Sequence, residues 1–322
     1  MTRFAILAMI KPQAAELRLF VEHHLACGAA QILLFHDGPI DTLVADGINP
    51  DALAERGVDL VALDDAFWAA RAIDRPGDFI TRRTLVHRLG IARCRTEWVF
   101  ICDEDEFLHA PGPIDTALAA VPDDVDSIVL PLGEAAWGPG DPFPQPFAST
   151  WFRMPYPPSA MDQWGRDRFL LYGPWALLIS KGVVSHALSK QFLRVNAKFD
   201  LVDTHRSFRD GREVSVRAAD LGGPIAEVKM LHFDAIGYRR WLRKWQGRRL
   251  DPTMNSRAQR VRRRQEKLIF RAVRSGDWAA RRVFRLLYGL NRRQARLLER
   301  RGQIFRAEPF ADRLPLPNGD AE

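Results

Sequence analysis

Strand, helix, strand: this rhythm runs through the first hundred residues of the 322-residue chain and limits its fold more than any other feature. Arg3–Ile10, Gln31–Phe35, Val58–Leu63 and Trp98–Cys102 are short apolar runs, the reading expected of strands buried on both faces of a parallel sheet. Between the first two, Leu17, Phe20, Val21, His24 and Leu25 recur at helical spacing and stop at Gly28, a helix-ending residue. A second helical stretch, from about Asp78 to Cys94, precedes the Trp98 run. The alternation predicts an α/β, doubly wound sheet with right-handed crossovers. Ser127–Leu132, Trp175–Ser180 and Glu227–Phe233 read as later strands. From Gly133 to about Pro174 the pattern loosens into a Pro-, Gly- and Trp-rich stretch, and long aromatic loops inside a domain are usually functional. Beyond Ala235 the spacing is helical to about Phe305, and 309–322 is a Pro- and charge-rich end expected to be disordered. The expected division is therefore an α/β domain over 1–235, a basic helical extension over 236–308 and a tail over 309–322.

The Trp98 run ends abruptly in Asp103-Glu104-Asp105-Glu106, followed by Phe107-Leu108. Open α/β sheets place their ligands at the carboxyl ends of their strands, where these acids fall. Four adjacent carboxylates repel one another unless a cation shares their charge, and hard divalent cations take oxygen ligands. Alternation sends Asp103 and Asp105 to one side and Glu104 and Glu106 to the other. The first pair suits a shared metal ion, the second helix-dipole or salt-bridge partners. A solvated acidic turn is the competing reading.

Charge is unevenly spread. Roughly two dozen Arg and Lys stand against about four acids between Arg239 and Arg306, so the rest of the chain is acidic on balance despite the overall +7. Trp241 and Trp245, and further on Trp278, Phe284, Leu287 and Tyr288, interleave with these arginines. Basic amphipathic helices of this kind suit an anionic membrane surface or nucleic-acid phosphates, or they pack their apolar stripe on the domain before them. No helix-turn-helix, zinc spacing or RNA-binding aromatic motif favours nucleic acid. The three cysteines form no CxxC pair, which argues against a disulfide framework or structural zinc and fits a reducing compartment. The first apolar run is too short for a signal peptide or a membrane span. The expectation is a cytoplasmic protein, soluble or peripheral at the inner face of the plasma membrane.

Taken in order, these segments resemble the GT-A glycosyltransferases of family 2, in the branch related to family 92 whose members carry a DxDEF motif. Lys11, Leu17, Phe20, His24 and Gly28 match the family's opening, and His36-Asp37-Gly38-Pro39-Ile40-Asp41 its turn after the second strand. Trp98 to Leu108 matches the W-x-x-x-x-D-x-D-E-F-L segment. Trp137-Gly138-Pro139-Gly140, Asp203-Thr204-His205, Leu231-His232-Phe233 and Tyr238 to Gly247 match weaker later positions, so the resemblance spans about residues 3 to 250. Pro12-Gln13, Leu19, His36 and Pro39 depart from the pattern where the family binds base and ribose.

The resemblance implies a metal-dependent, inverting transfer from a nucleotide-sugar donor to a glycan or lipid-linked acceptor, in polysaccharide or cell-envelope assembly. It implies Mn²⁺ or Mg²⁺ as cofactor, with Asp105 as direct ligand, Asp103 on ribose or a metal-bound water, and His232 completing the metal shell. Lys11, Asp37 and Asp41 are implied donor contacts, and Lys198 and Arg206 could hold phosphate oxygens. Inversion needs a base to take the acceptor's hydroxyl proton. Asp203, His205 and Glu134 are the candidates, Asp203 first because it follows the acidic motif at the family's spacing, with Asp141 a further loop carboxylate. Trp137, Trp151 and Trp164 could stack on sugar rings or belong to the core. A catalytically degenerate relative and a DxD phosphohydrolase are the remaining enzyme-fold alternatives; Phe107 stands where the latter wants Thr or Val.

Overall fold

In a computed structural model the described residues are 2–247 and 257–311. The elements in chain order are β1 (Phe4–Ile10), α1 (Ala14–Ala26), β2 (Gln31–His36), α2 (Asp41–Ala45), α3 (Pro50–Glu55), β3 (Val58–Ala62), α4 (Asp65–Ala69), α5 (Phe79–Ile91), β4 (Trp98–Cys102) and β5 (Glu106–His109). They continue with α6 (Ile114–Ala119), β6 (Ser127–Val129), β7 (Leu132–Ala136), β8 (Trp151–Arg153), α7 (Met161–Tyr172), β9 (Gln191–Arg194), β10 (Leu201–Val202), β11 (Ser207–Arg209), β12 (Arg212–Glu213) and β13 (Val216–Arg217). Last come α8 (Ala218–Leu221), α9 (Gly223–Ala226), β14 (Lys229–His232), α10 (Tyr238–Gln246), α11 (Arg257–Arg274), α12 (Asp277–Tyr288), α13 (Arg292–Arg300) and β15 (Ile304–Arg306). The chain divides into two compact units, 1–131 with 188–230 and 132–187 with 231–322.

The first unit is built on a seven-stranded mixed sheet ordered β13-β6-β9-β4-β1-β2-β3, in which β4, β1, β2 and β3 run parallel and β9 lies antiparallel between β6 and β4. This is the α/β sheet the sequence pattern predicts. β1 is buried along its whole length because both of its faces are covered. Ala5, Leu7 and Met9 on one face join Leu33, Phe35, Val99 and Ile101 in a core closed by Phe67, Trp68 and Val86. α5 approaches β1 so closely that a Cβ at Gly90 would lie 2.3 Å from the Leu7 side chain, so any larger residue there would have to displace Leu7. α1 begins where the Glu16 carboxylate accepts the Gln13 N–H at 2.9 Å, and it ends at Gly28 with φ +91°.

The second unit holds β15-β8-β7 in a sheet to which β14 delivers its last residues, together with α7 and α10–α13. Its core answers how the basic helices bury their apolar stripes. Trp241, Trp245, Phe284, Leu287, Tyr288 and Leu298 pack with Trp137, Trp151, Tyr156, Trp164 and Tyr172. The stretch from 236 onward thus shares one core with 132–187. These residues face inward, whereas Trp278 at the start of α12 stays exposed. Among the described residues no helix is long and apolar enough to cross one.

Four local expectations change. Trp175–Ser180 is not a strand: Gly173–Leu178 forms a 3₁₀ helix. The supposed loop before it contains α7, and Ser127–Leu132 splits into β6 and the start of β7 around Leu130-Pro131. Proline has no N–H for the ladder, which explains the break. Part of the expected tail is ordered: Phe310 is buried, edge-on to Phe147 and tilted against Phe233, whereas 312–322 lie outside the described residues, as do Arg248 and Arg249 of the basic stretch.

Candidate functional site

Parallel β4, β1 and β2 end side by side, and each is followed by a polar residue singled out in the sequence: Asp103, Lys11 and Asp37 respectively. The acidic segment after β4 is a tight turn. Glu106 N–H donates to the Asp103 carbonyl at 3.1 Å, and the Glu106 carboxylate accepts the Asp103 N–H at 2.8 Å. Phe107 anchors the turn from below, stacked on His24 with ring centroids 5.7 Å apart and edge-on to His23 at 5.2 Å. Burial, and secondarily the His23 charge, push His24 well below the ordinary histidine range, so it stays a neutral packing partner. Across the next turn the Glu104 carboxylate accepts the Lys11 N–H, which ties the end of β1 to the acidic turn.

The cation that shares the acidic charge is a lysine from β9's leading edge. Register places Phe192 opposite Phe100, so Lys190 comes alongside the end of β4. Its ammonium lies 2.5 Å from Asp103 Oδ2 and 3.3 Å from Glu106 Oε2, with Lys190 and Glu106 each 1% exposed. Burial would lower the Lys190 pKa, but the charges of Glu106 and Asp103 outweigh it and raise it above the ordinary lysine value. Next to this pair sits His87, buried and held down to about 3, first by burial and then by Arg83 and Lys190, against the opposing pull of Asp103 and Asp203. The imidazole is therefore uncharged at neutral pH. His205 Nδ1 is 2.8 Å from the Ser189 carbonyl, and the Asp203 carbonyl accepts from Gln191 Nε2 at 2.7 Å. Ser189-Lys190-Gln191 thus gathers Asp103, Glu106, Asp203 and His205 around it.

Asp37 is clamped from α5 and the loop before it. Arg82 meets both carboxylate oxygens, at 3.0 and 2.9 Å, and Arg75 adds a contact at 2.9 Å. Burial would raise the Asp37 pKa, but hydrogen bonds and charge from Arg82 and Arg75 hold it below the usual aspartate value. A depressed carboxyl contributes stability above its unfolded value, about pH 3.9, and loses it as pH falls through the folded value. Arg82→Ala should cost about 1 kcal/mol at pH 7, since the pair is partly solvated. Thermal melts of variant and parent should converge below about pH 3. A constant gap down to that pH would mean that Arg82 acts by packing.

Other expected site residues lie elsewhere. Asp41 is the exposed first residue of α2. Lys198 is exposed in the loop after Arg194, which pairs with Trp98 at the amino end of β4, so a strand's length separates it from Lys190. Arg206 pairs with Glu213 at 3.2 Å. Glu134 lies in the second unit, fully buried and opposite Arg153 on the neighbouring strand, with the pair at 2.7 Å. It also accepts the N–H groups of Val184 and Ser185 at 2.9 and 2.6 Å. A carboxylate with both oxygens occupied and no exposure cannot receive an acceptor's proton, which removes Glu134 as a base. The Asp141 carboxylate is likewise taken up, by Gly138 N–H, Thr150 N–H and the Thr150 hydroxyl. Trp137, Trp151 and Trp164 are all buried, which makes them core. His232 closes β14 in the second unit, its Nδ1 3.4 Å from the Ser185 hydroxyl and its ring stacked with His186 at 6.3 Å.

Lys190, Arg75, Arg82, His87 and His186 were not read from the sequence. Lys190 carried one usable signal, a cation two residues before the apolar Phe192-Leu193 pair of a strand.

No family model matches the chain and no curated protein matches it. Among solved structures it is similar to glucosyl-3-phosphoglycerate synthase from Mycobacterium tuberculosis, in complex with Mn²⁺, UDP and phosphoglyceric acid, at 10% identity and TM-score 0.30. That likeness covers 60% of this chain and 56% of the other, so little more than half of that enzyme's length is spanned. S. aureus TarS 1-349 in complex with UDP is similar at 9% identity and TM-score 0.30, over 84% of this chain and 71% of that one. CMP:2-keto-3-deoxy-manno-octonic acid synthetase complexed with CTP is similar over 41% of this chain and 53% of that one, at 12% identity and TM-score 0.26. Likeness this distant assigns no residue and no reaction to this chain.

Proposed function

We propose that the chain is a metal-dependent glycosyltransferase of the GT-A type, moving a hexose with inversion from a nucleotide-sugar donor to a glycan or lipid-linked acceptor. The observation that carries this reading is the Asp103–Glu106 turn at the carboxyl end of the parallel strands, neutralised by buried Lys190 and flanked by the Arg-clamped Asp37. Open α/β sheets bind nucleotides at that end. The reading places the enzyme in polysaccharide or cell-envelope glycan assembly, at the cytoplasmic face of a membrane.

Each residue has a task in it. Lys11 and Asp37, directly after β1 and β2, and Asp41, at the start of α2, contact the nucleoside, and Asp103 holds ribose while Lys190 fixes its orientation. Asp105, Glu106 and His232 have the donor types of a divalent cation site. With Glu106 already spent on Lys190, Asp105 and His232 would be the ligands, one carboxylate and one imidazole offered to Mn²⁺ or Mg²⁺. The bound ion supplies Lewis-acid stabilisation of the departing diphosphate. Asp203, exposed and with Oδ1 accepting the Thr204 N–H at 2.6 Å, takes the acceptor proton on Oδ2. His205 is the second candidate: a proton on Nδ1, donated to the Ser189 carbonyl, leaves the lone pair on Nε2.

With Mn²⁺ present, at least one member of a nucleotide-sugar panel should raise the melting temperature, and Asp105→Ala should abolish that shift. Asp203→Asn should keep the shift and lose turnover; if His205→Asn does so instead, the base is the histidine. A panel in which no nucleotide or nucleotide sugar stabilises the protein would overturn the reading.

A further inference from the structure

The second unit contains a cleft of about 820 Å³, lined among others by Trp137, Phe143, Tyr172, Trp175, Arg282 and Arg285. Its size is that of a small-molecule site. Its one acidic lining residue, Asp141, is committed to backbone and Thr150, as described above. Arg282 and Arg285 are exposed, and among the described residues neither has an ion-pair partner. Instead the Arg285 guanidinium lies 5.2 Å from the Phe143 ring centroid and that of Arg282 5.5 Å from the Trp278 ring. Trp278, Arg282 and Arg285 follow one another at i, i+4 and i+7, so they share the outer face of α12, whose inner face carries Ala280, Phe284 and Leu287.

The surroundings are apolar and exposed. Trp278 is 73% exposed and Trp175, on the cleft wall, 41%. Phe169, Leu170 and Leu177, which bracket Trp175 in the chain, are exposed as well. Exposed tryptophans beside arginines, next to a run of exposed leucine and phenylalanine, match a lipid–water interface in composition, with rings at headgroup depth and guanidinium groups on phosphates. A soluble sugar phosphate would use the arginines but would leave Leu170, Leu177 and Trp278 without a role.

We infer that this cleft and its rim bind the phosphate headgroup of an anionic lipid at a bilayer surface, with Arg282 and Arg285 on the phosphate and Trp175 and Trp278 in the interface. The inference gives the membrane-face location proposed above a named surface. It needs neither donor nor metal, so its failure leaves the transfer reading standing.

Co-sedimentation of the full chain with vesicles tests it. The protein should partition onto phosphatidylglycerol-containing vesicles and not onto phosphatidylcholine alone. Arg282→Glu/Arg285→Glu should reduce partitioning by at least about tenfold, since each basic residue near the surface contributes appreciably. Arg271→Glu/Arg274→Glu on α11, which removes the same charge away from the cleft, should change it far less. Lipids brominated near the headgroup should quench tryptophan fluorescence in the parent and not in Trp175→Phe/Trp278→Phe. Equal losses in the two arginine pairs would overturn the site, because net charge alone would then explain binding. Full displacement by millimolar glycerol phosphate would overturn the lipid surface in favour of a soluble anion.

Discussion

Replacing Lys190 with Met should cost about 3–5 kcal/mol of stability at pH 7, the range found when one partner of a buried ion pair is removed. The reason is Glu106, which is 1% exposed and loses the charge that neutralises it, while Asp103, more open to solvent, suffers less. The variant should also depend on pH in a defined direction. A buried carboxylate left alone is driven to protonate, so its folded pKa rises above the unfolded value of about 4.3. The deficit should therefore shrink as pH falls through that raised value, where the folded state takes up the proton, toward about 4.3, where the unfolded state does so too. In the parent, Lys190 has the opposite signature. Its raised pKa gives stability that is complete below about pH 10.4 and is lost only as pH climbs through the folded value. Denaturant titrations of both proteins from pH 4 to 9 measure this. A deficit that is flat across that range would mean that the lysine stem, not its charge, carries the effect.

Arg153→Met should destabilise by a similar amount, about 3–5 kcal/mol, but in the other unit. Burial opposes the Arg153 charge and Glu134 restores it, so the two side chains depend on each other. Arg153 also donates to the Leu287 carbonyl at 3.0 Å, which links the β7–β8 pair to α12. Removing it strands a carboxylate with no exposure and frees the end of α12. Adding Glu134→Gln to Arg153→Met should recover part of the loss, since the amide carries no buried charge and its single oxygen still accepts one of the two N–H groups, of Val184 or of Ser185, that the carboxylate takes on separate oxygens. Hydrogen exchange resolves the two variants spatially. Lys190→Met should loosen amides of β4, β5 and β9, and Arg153→Met those of β7, β8 and α12. If both variants accelerate the same amides, the two units do not open separately.

The strands of the parallel sheet were legible because they are apolar on both faces, and a run such as Phe4-Ala5-Ile6-Leu7 admits few other readings. The acidic turn stood out for a related reason: four carboxylates after such a strand repel one another unless a cation shares their charge or water solvates them, and Lys190 shares it here. What supplies the cation was not legible. Lys190 lies 84 residues beyond Glu106, and only the antiparallel register of β9 against β4 brings it there. Glu134 failed in the opposite way, as an acid in a loose stretch that turns out to face an arginine across two strands. Trp175 to Ser180 is apolar without alternation, so periodicity could not separate a strand from a 3₁₀ helix, and the Gly173-Pro174 start favoured the helix. The basic helices showed their stripes clearly, but a stripe does not say what it packs against.

The backbone passes between the two units three times, after residues 131, 187 and 230. During synthesis this imposes an order. When Pro131 leaves the ribosome, β1, β2, β3, β4 and β6 all exist, but the strand that separates β4 from β6 does not. β9 emerges only after the opening segment of the second unit has been made, about 60 residues or several seconds later at usual elongation rates. Until then β4 is an open apolar edge, the kind of surface that recruits chaperones or pairs with a neighbouring chain. The same interleaving means that no cut near residue 235 releases a self-sufficient fragment, since it would divide the second core between two polypeptides. The order in which the sheet can close is thus a property of the wiring of this chain, set by where β9 is encoded.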